Sequence, residues 1–262
     1  MFGWFFDLPW MLLATLMVGI FAVAGLGGLS FTRRFVIPRI PVTAHENEVV
    51  ANFLHATLII YGLSVALLAI AVWEKYNEVT KVVSAEAVAI GALYRNISGY
   101  PEPIRSRLRA EVRDYTGQVI HQAWPLQRRG KLPTVGVVHM DRLQGMLLPF
   151  EPTTEGLKAL HRETLNAYDE LIKARRLRLD FVNSGLPAPM WSVVLVGGAF
   201  ALAPAFFFRL GSIRLHRLMI VLLSGIMGLL IFLIAFYDRP LGGKHAISPE
   251  AYELIYQQLM EH

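Results

Sequence analysis

Four long apolar segments constrain the fold of this chain more than any other feature. Three of them, Leu8–Ser30, Phe181–Phe208 and Leu218–Tyr237, carry no charged residue, and in Val49–Trp73 only His55 can carry a charge near neutral pH. A membrane core about 30 Å thick requires roughly 20 apolar residues per helix. Because backbone N–H and C=O groups must be satisfied without water in lipid, each run predicts a transmembrane helix. The predicted fold class is therefore an all-α integral membrane protein with four transmembrane helices and a helical extramembrane domain between spans 2 and 3.

The composition agrees with a membrane location. Hydrophobic residues make up 54% of the chain and charged residues 17%, and the mean hydropathy is +0.44. The first ten residues contain no Lys or Arg ahead of the apolar run, so we expect a retained helix rather than a cleaved signal peptide. The net charge of +5 fits a basic rim beside anionic lipid headgroups and does not require nucleic acid.

The spans divide the chain into four parts. They are transmembrane helices 1 and 2 (1–73), a helical cytosolic domain (74–183), transmembrane helices 3 and 4 (184–237) and a C-terminal cytosolic tail with a short helix (238–262). With an even number of spans, both termini and the 74–183 domain lie on one side of the membrane. The distribution of Lys and Arg favours the cytoplasmic side.

The extramembrane helices can be predicted from helix-breaking and helix-capping residues and from the spacing of apolar residues. Residues 49–97 lack Pro, which predicts that the second span continues as one helix of nearly fifty residues. Pro101 and Pro103 end it, and apolar spacing predicts a second helix over 104–124. The stretch 125–133 is predicted as a loop, a further helix is expected from Thr154 to about Val182, and Ser248 is the predicted N-cap of a short final helix that starts at Pro249.

The second span carries the candidate site. His55, Ile59, Leu63 and Leu67 recur every four residues and share one helix face. In an oligomer such a face could form an apolar constriction of a pore, and it could equally face lipid or pack on a neighbouring helix.

Three charges follow where this helix leaves the bilayer, namely Glu74, Lys75 and Glu78. A ring of them at a pore exit would select ions by charge, whereas as local surface pairs they would contribute little. The basic run 173–178 allows the same two interpretations, a vestibule lining or a solvated surface near the membrane.

Signatures of catalysis are absent from the sequence. It contains no phosphate-binding Gly-rich loop, zinc-ligand pair or nucleophile elbow, and it has no cysteine. We therefore expect no enzyme activity, no catalytic residue and no cofactor.

Several stretches resemble a bacterial membrane family grouped as bestrophin-like. The residues are VWEKYNEV (72–79), AEAVAIGALYRNISGYPEPIRSRLRAEVRDYTGQVI (85–120), QAWP (122–125), KARRLRL (173–179), LPAPMW (186–191) and FYDRPLGG (236–243). Bestrophins are pentameric ion channels with four spans per subunit and a pore lined by the second span. The resemblance implies the same plan here, with the pore neck near Ile59 and Leu63.

The sequence after the last span differs from that of calcium-regulated bestrophins. Those proteins carry an acidic cluster there, whereas Lys244 and His245 follow Gly243 in this chain. Calcium prefers six to eight oxygen ligands, so we predict no metal site in this stretch.

These observations lead to one functional hypothesis and two alternatives. The hypothesis is a homo-oligomeric, pentameric ion channel of a bacterial inner membrane that passes small anions such as chloride. The first alternative is a proton-channel stator subunit of the MotA/TolQ/ExbB type, which would need a single-span partner. The second is a non-conducting membrane scaffold.

Overall fold

A computed structural model describes residues 9–40, 43, 46–134, 136–243 and 245–260, and its regular elements are all helical. The α-helices of this part of the chain are α1 (Trp10–Phe31), α2 (Asn47–Ile97), α3 (Ile104–Gln118), α4 (Trp124–Arg128), α5 (Val137–Leu147), α6 (Glu155–Asp180), α7 (Ala188–Leu202), α8 (Ile213–Tyr237) and α9 (Glu250–Ile255). Short π- or 3₁₀-helical turns extend α1, α3, α6, α7 and α9 at their C-terminal ends.

Four helical segments of the described chain are long and apolar enough to cross a membrane. They cover residues 10–36, 47–97, 188–207 and 213–237, with lengths of 27, 51, 20 and 25 residues. This confirms the predicted all-helical fold with four candidate spans. The longest segment, α2, is an unbroken α-helix, as the absence of proline predicts.

The chain divides into two compact units, each built from two separate stretches of sequence. Unit 1 comprises the described residues within Met1–Glu74 and Gly185–Asp238, and unit 2 those within Lys75–Ser184 and Arg239–His262. Unit 1 therefore contains the apolar helices, and unit 2 contains the outer half of α2, helices α3 to α6 and the tail helix α9.

In unit 1, α1 packs closely against α8 through small residues. A Cβ atom added at Gly25 would come within 2.9 Å of the Ser224 Oγ atom, and one at Gly228 would lie 3.1 Å from the backbone oxygen of Met17. Interfaces between helices in lipid are typically built this way, because small residues let the backbones approach. Gly27, by contrast, has open space where its Cβ would stand.

Unit 2 has a conventional apolar core. The outer half of α2 contributes Val79, Val83, Ile90 and Ile97, all buried, and the other helices of the unit pack around them. The tail takes part as well, because Trp124 donates its Nε1–H to the backbone oxygen of Ile247 at 3.1 Å.

The observed helices differ from the predicted ones in several places. Pro125 lies in the first turn of α4, where its missing N–H is not needed, so the predicted loop 125–133 is helical at its start. Helix α5 was not predicted. The break between Asn183 and Ala188 agrees with the predicted end of the preceding helix, although the apolar run that predicted the third span begins earlier, at Phe181. Helix α9 begins at Glu250 with Pro249 as its N-cap, one residue later than predicted.

Candidate functional site

The predicted face of the second span is exposed in the single chain. Ile59, Leu63 and Leu67 are 71%, 63% and 61% exposed, and His55 is exposed as well. These four residues lie on one side of α2 within unit 1, away from the side that packs on the rest of the unit. The face is therefore available to lipid, to a second subunit or to an aqueous pore.

Tyr61 determines which side of α2 is turned inward. Its hydroxyl donates to the backbone oxygen of Val194 in α7 at 3.0 Å, and its side chain is buried. Gly198 makes room for it, since a Cβ there would lie 2.9 Å from the Tyr61 hydroxyl oxygen. Val65 and Val72 continue the buried side along the helix. The stripe from Ile59 to Leu67 is thus exposed because the opposite side is anchored.

Polar groups near the stripe are satisfied by the helix itself. Thr57 donates its hydroxyl to the Leu54 backbone oxygen, and Ser64 donates to that of Ile60. An ion passing this face would therefore meet aliphatic side chains. A ring of such side chains is a constriction that can gate by dewetting.

The three predicted exit charges do not share one side of α2. Eighteen residues make five turns of an α-helix, so neighbouring positions differ by about 100° around the axis. In unit 1, Glu74 is turned by about 20° relative to Leu63; in unit 2, Lys75 and Glu78 are turned by about 60° from one another. Glu74 and Glu78 are exposed, and Lys75 is half-buried.

At the opposite end of unit 1, a buried histidine of α8 contacts the helical turns that follow α1 and α7. The Arg33 guanidinium contacts the Nδ1 atom of His216 at 3.1 Å, and the His216 Nε2 atom lies 2.9 Å from the backbone oxygen of Ala205. A carbonyl can only accept, so Nε2 carries the proton and Nδ1 accepts from Arg33. Sequence reasoning did not identify this contact.

A second polar cluster that the sequence did not reveal lies inside unit 2. The Arg178 Nε atom donates to Glu86 Oε2 at 2.6 Å, and the Tyr115 hydroxyl donates to Glu86 Oε1 at 2.7 Å. The Arg178 guanidinium also lies 5.8 Å from the centre of the Trp124 ring and 5.9 Å from that of Tyr252. Glu86 and Arg178 are almost completely buried, so this pair is part of the core. In the basic run 173–178, Arg178 is therefore a core residue, whereas Lys173 is exposed.

Burial and charge shift the pKa values in this cluster. Burial raises the pKa of Tyr115 and of Tyr252 well above 10, and the Glu86 carboxylate raises both further. Burial alone would lower the pKa of Arg178, but attraction to Glu86 more than offsets it, so the pKa is raised. Both phenols are neutral and the guanidinium is charged at physiological pH.

Asp238, which directly follows the last span, accepts a hydrogen bond from the backbone and does not face solvent. Asp238 is buried, and its Oδ1 atom accepts a hydrogen bond from the Leu186 backbone N–H at 2.5 Å. No group of three or more His, Asp or Glu residues in the described ranges is placed to hold a metal ion.

Fold and site together define a class of protein, a membrane protein with four helical spans, an extramembrane helical unit and an exposed apolar stripe on its longest helix. A family model described as Bestrophin-like domain matches residues 10–252. The chain belongs to the Bestrophin-like family, which confirms the resemblance seen in the sequence. Membership supports an ion channel at the level of the family.

Solved structures agree with this assignment at the level of the fold. Three mutant forms of a bacterial Bestrophin homologue from Klebsiella pneumoniae match with TM-scores of 0.70, 0.65 and 0.61. The matches cover 94–95% of this chain and 97–99% of those chains, at 10–12% identity. None of the curated proteins searched matches the chain.

Proposed function

We propose that this protein is a homo-oligomeric channel for small anions such as chloride, with α2 lining the pore of a pentamer. The carrying observation is the exposed aliphatic stripe of α2, formed by Ile59, Leu63 and Leu67, beside exposed His55. The family assignment supports a channel. Because Tyr61 holds the opposite side of α2 against α7, the stripe is free to face the central axis of an oligomer.

In the proposed assembly, the neck is formed by copies of Ile59 and Leu63. Aliphatic rings of this kind pass ions only when the constriction is wet, so their width controls conduction. His55 lies one turn from Ile59 towards the N-terminus of α2. Glu74, Lys75 and Glu78 would contribute the charges at the other end of the pore. We place the protein in a bacterial inner membrane with unit 2 in the cytoplasm.

The test is ion flux through the purified protein in planar bilayers under a chloride gradient. Ile59→Ala and Leu63→Ala widen the proposed neck and should raise the unitary conductance. Val23→Ala is the matched control, because Val23 of α1 is also aliphatic and, at 71%, exposed to the same extent as Ile59. The control should behave like the wild type.

Two outcomes would contradict the proposal. Equal effects of Val23→Ala and Ile59→Ala would mean that the stripe on α2 faces lipid, as α1 does. Absence of current from a well-folded oligomer would instead favour a stator or scaffold, and co-purification of a single-span partner would identify the stator.

A further inference from the structure

A turn at the C-terminal end of α4 carries three basic residues, Arg128, Arg129 and Lys131, and is here called the basic turn. Two backbone hydrogen bonds close it, from the Gly130 N–H to the Gln127 oxygen at 2.8 Å and from the Lys131 N–H to the Leu126 oxygen at 3.0 Å. Gly130 has a φ of +69°, the left-handed conformation that commonly ends an α-helix. The three basic residues therefore belong to one hydrogen-bonded turn.

The basic turn contacts two chain segments of unit 2 that directly flank membrane spans. The Gly243 N–H donates to the Arg128 backbone oxygen at 3.0 Å, and a Cβ at Gly130 would lie 3.9 Å from the Asn183 Oδ1 atom. Gly243 lies six residues after the end of α8, and Asn183 lies five residues before the start of α7. Since an extended chain spans at most about 3.6 Å per residue, the covalent chain alone keeps both residues within roughly 22 Å of the end of a candidate span. The basic turn therefore lies beside two of the points where the chain of unit 2 connects to the spans.

The side chains of the basic turn are exposed, and acidic neighbours do not neutralise them. None of the three forms an ion pair with any residue within the described ranges. The sequence has no acidic residue from 115 to 140. Asp180, three residues before Asn183, is exposed, and it forms no ion pair with the turn. With one carboxylate against three cations, this part of the surface is positively charged.

Exposed aliphatic side chains follow the basic turn in the sequence. Leu132 comes directly after Lys131 and is 58% exposed, and Val137 and Val138 in the first turn of α5 are exposed as well. Basic residues next to exposed aliphatic ones are typical of segments that lie at a membrane surface. The cations attract anionic headgroups, and the aliphatic side chains enter the boundary between headgroups and acyl chains.

We propose that the basic turn and Leu132 form a docking surface for anionic lipid headgroups, which holds unit 2 against the membrane surface. Arg128, Arg129 and Lys131 bind the headgroup phosphates, and Leu132 inserts beside them. The inference requires only that the protein lies in a membrane, so it holds whether or not the protein conducts ions.

The absence of cysteine allows a site-specific test on the full-length protein. Leu132→Cys is labelled with an environment-sensitive fluorophore, and the protein is reconstituted into liposomes of phosphatidylcholine with increasing fractions of phosphatidylglycerol. The emission should move to shorter wavelength as the anionic lipid increases, and high salt should reverse the shift because it screens the attraction. Leu148→Cys is the matched control. Leu148 is also an exposed leucine of unit 2, at 64%, but it follows the far end of α5, and its label should not respond to phosphatidylglycerol.

Charge variants in the Leu132→Cys background test the role of the three cations. Each basic residue near an anionic surface favours the docked state by about fivefold, so Arg128→Gln/Arg129→Gln/Lys131→Gln should lower the ratio of docked to undocked protein by about a hundredfold. Arg128→Lys/Arg129→Lys preserves the charge and should keep the response. Because the replaced side chains are exposed and unpaired, all variants should unfold at the midpoint of the parent protein, which shows that the fold is retained.

Three results would overturn this inference. One is an emission from Leu132→Cys that does not change with phosphatidylglycerol, and another is an equal response at positions 132 and 148. The third is a short-wavelength emission that is already present in detergent and persists in the triple Gln variant. That result would mean that protein, such as a second copy of the chain, covers Leu132 instead of lipid.

Discussion

Removing Arg178 should destabilise unit 2 more than any substitution of a surface charge. Arg178→Met keeps a side chain of similar length but leaves the Glu86 carboxylate buried, with Tyr115 as its remaining hydrogen-bond donor. Breaking a buried ion pair by deleting one partner typically costs about 3–5 kcal/mol. One kcal/mol lowers Tm by about 2–4 °C in a protein of this size, so the expected decrease is about 10 °C.

Thermal unfolding of the purified protein, followed by tryptophan fluorescence, measures the effect, because Trp124 packs beside Arg178. Lys158→Met is the matched control. It breaks the Lys158–Glu155 pair, which has an N···O distance of 2.8 Å but is well exposed. Surface pairs of this kind contribute about 0–1 kcal/mol, so the control should change Tm little.

The double variant Glu86→Leu/Arg178→Met removes both charges from the core. It should recover at least half of the stability lost in Arg178→Met, because no charge is then left buried without a partner. Two results would refute the reasoning. One is a decrease in Tm for Arg178→Met no larger than that for Lys158→Met, and the other is a double variant less stable than the sum of the single changes predicts.

Three further predictions concern the same core and the membrane helices. Tyr115→Phe should destabilise unit 2 by about 1.5–3 kcal/mol in chemical unfolding, because it removes a hydrogen bond to the charged Glu86. Tyr252→Phe should cost less, since its hydroxyl forms no hydrogen bond with any of the described residues. Equal losses would contradict this. The pKa values of both tyrosines are raised by folding, so their contribution to stability is fully present below about pH 10 and is lost as the pH rises further. A pH series of unfolding midpoints checks this, and the loss should be smaller in a Tyr115→Phe/Tyr252→Phe variant. Gly25→Ala should destabilise the packing of α1 on α8 by about 1–3 kcal/mol, measured as a lower Tm in detergent, whereas Gly27→Ala should be tolerated.

The large features of this fold could be predicted from sequence because each depends on a long, simple pattern. A run of about twenty residues without charge has few alternatives to a membrane helix. The absence of proline from 49 to 97 likewise predicts one long helix, and α2 spans Asn47–Ile97. These patterns concern backbone hydrogen bonding, which is local to the chain.

The buried pair Glu86–Arg178 could not be predicted because its partners are 92 residues apart. Arg178 lies in a run with Lys173, Arg175 and Arg176, and residue type alone does not distinguish the buried arginine from half-buried Arg175 or from exposed Lys173 and Arg176. Periodicity does place Arg178 seven residues after Leu171, which is buried, so the two share a helix face. Because Arg178 lies on this buried face, only part of the 173–178 run is exposed to solvent.

The candidate site on α2 could be predicted from the sequence in part. The repeat from His55 to Leu67 predicts a shared face, and the structure adds that Tyr61 anchors the opposite side to α7. The predicted exit charges were chosen by their position in the sequence alone. The structure adds that Glu74 and Glu78 are exposed, whereas Lys75 is half-buried.

The division of each unit into two stretches of sequence has a consequence for biosynthesis. Tyr252, which packs on Trp124 beside the Arg178 guanidinium, is translated 74 residues after Arg178, with α7 and α8 in between. At about 5–20 residues per second, that delay is roughly 4–15 s. During this interval both membrane helices must insert while the nascent extramembrane helices lack Tyr252 and Ile247. Until Tyr252 has been translated, the buried Glu86–Arg178 ion pair lacks one of the two aromatic rings that pack beside its guanidinium.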